Sequence, residues 1–143
     1  MELMIALVVL ATLTAIAVPS YRQYIDQAKR SEATRDIAEI SMVIERFFSL
    51  NQTYPANLAA LGAEVPAADP WGNAYRYLAI AVTPAPNTGD VRRDKNMNPL
   101  NSDYDLYSKG QDGQTQKQLT AAKARDDIVR AGNGSFIGLA SEH

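Results

Sequence analysis

At 143 residues the chain has room for one modest domain plus an extension, not for two full domains. A formal net charge of -2 gives no electrostatic case for nucleic acid, and the one local basic cluster, Arg92-Arg93 beside Lys95, stands between Asp90 and Asp94 and reads as a solvated loop. The chain has no cysteine, which excludes a disulfide framework and any thiolate metal site.

The chain opens M-E-L-M-I-A-L-V-V-L-A-T-L-T-A-I-A-V-P. Leu3 to Val18 carries no charge and comes close to the short limit, roughly 17 residues, for a helix that spans a membrane. A signal peptide would have basic residues before such a run and a small-residue cleavage site after it. Here Glu2 precedes the run and V-P-S-Y-R-Q-Y follows. An uncharged stretch of this length is also unusual as the core helix of a small soluble domain. The reading that remains is a membrane segment kept in the working protein, rich enough in Ala, Val, Ile and Thr to pack against copies of itself. Glu2 is then the anomaly, because a carboxylate carried into hydrocarbon must protonate, reach an interface or find a cation.

Beyond Pro19 the pattern becomes amphipathic. Ile37, Ile40, Ile44, Phe47 and Phe48 recur at the three-and-four spacing of one apolar stripe. Asp26, Lys29, Arg30, Glu32, Arg35, Asp36 and Glu39 supply a face of mixed charge, suited to water or to another subunit. Pro19 removes a backbone donor and is expected to kink this long helix or end its first half. The helix runs to about Leu50 and stops before Tyr54-Pro55, which biases the backbone away from helix.

The remainder is punctuated by turns. N-L-A-A-L-G reads as a short helical turn, and E-V-P-A-A-D-P-W-G-N as a loop. Ala74 to Val82 and Asp103 to Ser108 read as strands, separated by a long loop from Thr83 to Ser102. K-G-Q-D-G-Q is a turn. Gln114 to Arg125 is a polar loop with one helical turn in L-T-A-A-K-A, and S-F-I-G-L is a third strand. The expected fold is α+β: a long N-terminal helix packed on a small antiparallel sheet of about three strands with long loops. Residues 1–19 form the hydrophobic segment and 20–143 the amphipathic half with the globular part. So small a core leaves the long loops needing another clamp. Trp71 is the expected packing anchor for the sheet.

An acid ahead of a greasy helix, a proline near its end, an amphipathic continuation and a small sheet together resemble the type IV pilin superfamily, over Met1 to about Arg30. M-E-L-M-I-A matches the family's mature start from the residue before the glutamate onward, which implies that a few family residues and a leader precede Met1. Y-P-A-N-L-A-A-L, D-P-W-G-N-A-Y-R-Y and Y-D-L-Y-S-K-G-Q-D-G, in that order behind the helix, are similar to the major pseudopilins of type II secretion systems. The loop between Gly113 and Asp126 is longer than that family's, and its Asp-Ile-x-x-Trp ending reads D-D-I-V-R-A here.

The resemblance implies a subunit held in the bacterial inner membrane and then extracted into a helical homopolymer, periplasmic or at the cell surface. A prepilin peptidase, minor pseudopilins and a secretion platform are its implied partners. Glu2 matches the family's glutamate, which neutralises the N-terminal amine of a neighbour, and with Pro19 forms the expected assembly determinants. It also implies calcium in the loop after the D-G turn, held by the carboxylates of Asp112, Asp126 and Asp127 and the backbone carbonyls of Lys109 and Gln114. On the residues alone, Asp112-Gly113 is equally a hairpin turn and Asp126 a cap. The regular spacing of an EF-hand is missing.

Catalysis has little to work with. The only histidine, His143, stands at the end of the sequence, where order is least expected, and no phosphate-binding glycine motif occurs. The reading is a non-enzymatic filament subunit of type II secretion. The alternatives are the major pilin of a type IV pilus, serving adhesion, motility or DNA uptake, and a monomeric membrane-anchored binding module.

Overall fold

The computed structural model describes residues 1–143, the side chain of Glu2 excepted, so the pairing expected of that carboxylate lies outside the described residues. Helix α1 (Glu2–Asn51) is continuous, about 75 Å long at 1.5 Å per residue. Pro19 lies inside it and does not end it. The small polar residues of the apolar half turn inward: Thr12 Oγ1 donates to the Val9 carbonyl at 2.9 Å, Thr14 Oγ1 to Leu10 at 2.8 Å and Ser20 Oγ to Ile16 at 3.1 Å. Such back-bonding satisfies hydroxyls that would otherwise face lipid unpaired. The helix closes where Gln52 turns left-handed (φ 55°) and its N–H bonds the Phe48 carbonyl at 2.7 Å.

A 3-10 turn over Leu58–Glu64, capped by Asn57, follows as expected. The sheet has four antiparallel strands in sequential order: β1 (Arg76–Ala79), β2 (Tyr104–Ser108), β3 (Ile128–Ala131) and β4 (Phe136–Leu139). One row of partners crosses all of them, from Arg76 to Tyr107, Val129 and Gly138. The strand not expected from the sequence is β3, although it contains the strand formers Ile128 and Val129. All four of its residues are buried, Arg130 included, so it shows no alternation of polar and apolar side chains.

Alternation of side chains along β2 and β3 divides the core into two layers. On the helix side, Ala33, Ile37, Ile40 and Ile44 of α1 pack with Leu61, Tyr75, Tyr104, Leu106 and Ile128, with Trp71 and Phe47 at the margin. Tyr75 donates its hydroxyl to Asp36 at 2.8 Å, so the acid inside the apolar stripe has a partner. On the other side, Val129, Ala131 and Ala140 meet Leu100 and Leu119. These last two come from the long loops, which therefore carry more apolar material into the core than their polar composition suggests. Burying them contributes up to about 1.5–3 kcal/mol each.

Candidate functional site: an apolar helix half and a clamped loop

The first feature is an absence of cover. The large apolar residues of the first half of α1, from Leu3 and Ile5 through Leu13 and Ile16 to Val18, are exposed, and none of that segment is buried. Among the described residues the first fully buried position on α1 is Ala33. By length and composition this helix suffices to cross a membrane. So large an exposed apolar surface, running all round the helix of a small protein, marks a segment made for lipid or for other helices.

The second feature joins two motifs distant in sequence. Asp69, 5 % exposed, accepts through Oδ1 from the N–H groups of Trp71 (3.1 Å) and Asn73 (2.8 Å), fixing the D-P-W-G-N turn. Its Oδ2 accepts from Ser108 Oγ at 2.5 Å, and Ser108 Oγ in turn accepts from the Gly110 N–H at 3.0 Å. Asn73 Nδ2 donates to the Gly110 carbonyl at 3.1 Å. The turn before β1 thus holds the turn after β2. Trp71 packs at the edge of the core, half-buried.

The third feature is the loop that joins β2 to β3. Asp112 and Asp126 meet there: the Asp112 N–H donates to Asp126 Oδ2 at 3.0 Å, and Asp112 Oδ1 accepts from the Gln114 N–H at 2.7 Å. Lys109 and Gln114 flank this turn. Asp127 points elsewhere. Consecutive residues entering a strand face opposite sides, and Asp127, fully buried, lies on the loop side of the sheet. Its Oδ2 accepts from Arg92 Nη2 and from Thr115 Oγ1, both at 2.5 Å, while Oδ1 is buried without a hydrogen-bond partner. Burial pushes the Asp127 carboxyl up to about 6, against the lowering effects of Thr115 and Arg92. Among the described residues no group of three acids stands close enough to hold a metal ion. Calcium takes six to eight oxygens, carboxylates prominent among them. The donor set that the resemblance implies is therefore divided, with a guanidinium on one of its members.

Arg92 corrects the reading of its cluster as solvated. Arg93 and Lys95 are exposed, but Arg92 is 3 % exposed. Its N–H donates to Asp105 Oδ2 at 2.7 Å, Nη1 donates to Thr115 Oγ1 at 2.9 Å, and the guanidinium lies 3.9 Å from the centre of the Tyr107 ring. Asp105 is itself buried, which raises its carboxyl, and Asn101 Nδ2 donates to its other oxygen at 2.9 Å. A second buried arginine, Arg130, grips Asp103 with both arms at 2.8 and 2.6 Å over the Tyr104 ring. Nothing in D-V-R-R-D separates the buried arginine from its exposed neighbour. Val91, itself buried, is the only hint that the chain turns inward there. His143 is held rather than loose, edge-on to Phe136 at 5.1 Å with Nδ1 3.5 Å from Asp94.

Comparison with known proteins agrees with the fold. The family model described as "Type IV minor pilin ComP, DNA uptake sequence receptor" matches residues 19–128. The chain is 30 % identical over 132 residues to the type II secretion system core protein G of Pseudomonas aeruginosa, covering 78 % of this chain and 80 % of that protein. Core protein G of Klebsiella pneumoniae is 29 % identical over 116 residues (80 % and 75 %), and that of Klebsiella michiganensis 28 % over 116 residues (80 % and 74 %). No solved structure matches.

Proposed function

Because this chain belongs to the type IV pilin superfamily and, within it, to the family of type II secretion system core protein G, we propose that it is a structural subunit that polymerises into the pseudopilus of a type II secretion system. The observation that carries this reading is the division of α1. One continuous helix has a stretch whose one face is buried against the sheet, from Ala33 to Ile44, and an uncharged stretch that covers nothing in its own chain. The exposed half calls for lipid before assembly and for neighbouring helices after it. The subunit is thus a single-pass inner-membrane protein that moves into a periplasmic or cell-surface filament. Prepilin peptidase, minor pseudopilins and the secretion platform are its partners in that cycle. Glu2 is the residue proposed to meet the N-terminal amine of a neighbour.

Electron microscopy of sheared envelopes from cells overproducing the subunit with its secretion genes tests the reading. Filaments that disappear when the gene is deleted are the expected result, and a subunit that stays dispersed in the membrane would overturn it. The match to the ComP model gives one ground for a second reading, a pilin of a type IV pilus. Deletion separates the two: loss of protein export with twitching motility and transformation intact supports the pseudopilus, and the converse supports the pilus.

A further inference from the structure

We propose that the Arg92 guanidinium is the cation that locks the 109–127 loop onto the sheet, so that this subunit folds and resists proteolysis without a divalent metal. The loop is long, polar and free of disulfides, and closing it costs entropy that something must offset. Arg92 reaches both of its ends. Nη1 donates to Thr115 Oγ1 at 2.9 Å near the start, and Nη2 donates to Asp127 Oδ2 at 2.5 Å where the loop enters β3. Thr115 Oγ1 closes the triangle by donating to the same carboxylate oxygen. The arginine is in turn held by β2, through its N–H on Asp105 and its guanidinium on the Tyr107 ring.

Neighbouring bonds run the same way. Arg93 donates its N–H to the Lys117 carbonyl at 2.9 Å and accepts from the Leu119 N–H at 3.0 Å, a short parallel bridge that seats Leu119 in the core. Lys117 Nζ donates to the Gly89 carbonyl and to Asp90 Oδ1. The segment around Arg92 is therefore the strap for the loop, with a charge at its centre.

That charge also opposes a metal at Asp127. A divalent ion drawn to this carboxylate would stand beside a buried guanidinium, and like charges repel strongly where water is excluded. Asp127 Oδ2 already accepts two hydrogen bonds, so only Oδ1, buried without a partner on the same carboxylate that the guanidinium holds, is left for an ion. The Asp126 carboxylate accepts from the Asp112 N–H. An uncompensated buried carboxylate is costly, which makes the arginine and not an ion the partner whose loss is felt.

The test uses the full-length chain in detergent micelles, with thermal melting and limited trypsin digestion read at Lys117, Lys123 and Arg125. The wild-type protein should melt at the same temperature in excess chelator and in millimolar calcium, with the same slow cleavage in both. Arg92→Gln should lower Tm by roughly 10 °C, the scale expected when a buried pair loses one member in a domain of this size. Cleavage at the three loop sites should rise about tenfold or more with it, on the same free-energy scale. Should Arg92→Gln not accumulate, Arg92→Lys retains the charge while losing the second arm and should show both effects in weaker form. The double variant Arg92→Gln/Asp127→Asn should recover part of the loss, because it leaves no lone charge. A wild-type Tm that rises with calcium and falls with chelator would overturn the proposal. So would loop cleavage that neither Arg92→Gln nor Arg92→Lys changes.

Discussion

Asp69 and Ser108, 39 residues apart in sequence, meet at 2.5 Å inside the protein, and through them the turn before β1 fixes the turn after β2. The arrangement is a buried polar network with one acceptor at its centre, so removing that acceptor strands several donors at once. Asp69→Ala leaves the N–H groups of Trp71 and Asn73 and the Ser108 hydroxyl without their partner. It should cost about 2–4 kcal/mol, since each stranded buried donor costs about 1–3 and the two backbone groups can partly relax toward water. Ser108→Ala removes two bonds, its donation to Asp69 and the one it accepts from the Gly110 N–H, and should cost about 1–2 kcal/mol. Thermal melting of both variants in detergent checks the ranking. Equal effects would mean that the serine, not the aspartate, organises the turn.

Gly110 shows the tightness of the same corner. Its φ is +63°, and a β-carbon there would stand 2.2 Å from the Asp126 carbonyl oxygen. Gly72 has φ +91° but open space around its β position. Gly72→Ala therefore bears only backbone strain, about 1 kcal/mol, whereas Gly110→Ala must also push the Asp126 backbone away and should cost more than about 3 kcal/mol. Melting temperatures of the two alanine variants measure the difference. Similar losses would show that the loop yields easily at Asp126.

Much of this fold is legible in the sequence, and what is not has physical causes. The uncharged run and the stripe Ile37, Ile40, Ile44 define α1, because helical periodicity over so long a span has few competing readings. Strands β1, β2 and β4 carry the enrichment in aromatic and branched residues that marks a strand. β3 holds Ile128 and Val129 as well, but in four residues it shows no polar–apolar alternation, because its Arg130 is buried by a bidentate pair with Asp103, a partner found only in three dimensions. The pair Asp126-Asp127 reads as one acidic unit in the sequence. Strand geometry splits it, sending one carboxylate to the Asp112 turn and the other to Arg92. Arg92 itself is unreadable as a buried residue because charge runs are almost always solvated, and its neighbour Arg93 obeys that rule.

Glu2 is expected to act in assembly, not in folding. It lies at the head of a segment that makes no contact with the core, so Glu2→Ala should leave the melting temperature of the globular part unchanged. In a filament, a carboxylate with a single eligible cation sets the register of one subunit on the next, and an unpaired buried charge costs several kcal/mol. Filament yield should therefore fall roughly tenfold or more in the alanine variant, on that energy scale. Quantifying sheared filaments against total subunit checks it. Normal yield would remove the pairing role.

Pro19 and the residues before it are expected to change conformation on assembly. In the isolated chain the helix is continuous through Ala11 to Pro19, although Pro19 cannot donate to the carbonyl four residues back. Thr12, Thr14 and Val18 are also weak helix formers. In lipid this segment has no alternative, because each unpaired backbone group there costs several kcal/mol. In a filament, neighbouring subunits and trapped water can satisfy those groups, and the weakest stretch of α1 is then free to extend. We expect non-helical backbone between Ala11 and Pro19 in the assembled form, as the resemblance to pilins implies. Amide exchange should be faster there in filaments than in detergent-held subunits, by roughly two orders of magnitude if the local helix is lost, since opening a stable turn costs a few kcal/mol. Pro19→Ala restores the missing donor and removes a defect costing about 3 kcal/mol, so it should suppress both the extension and the faster exchange. A filament map with unbroken helix across this span would show that assembly leaves α1 as it is in the single subunit.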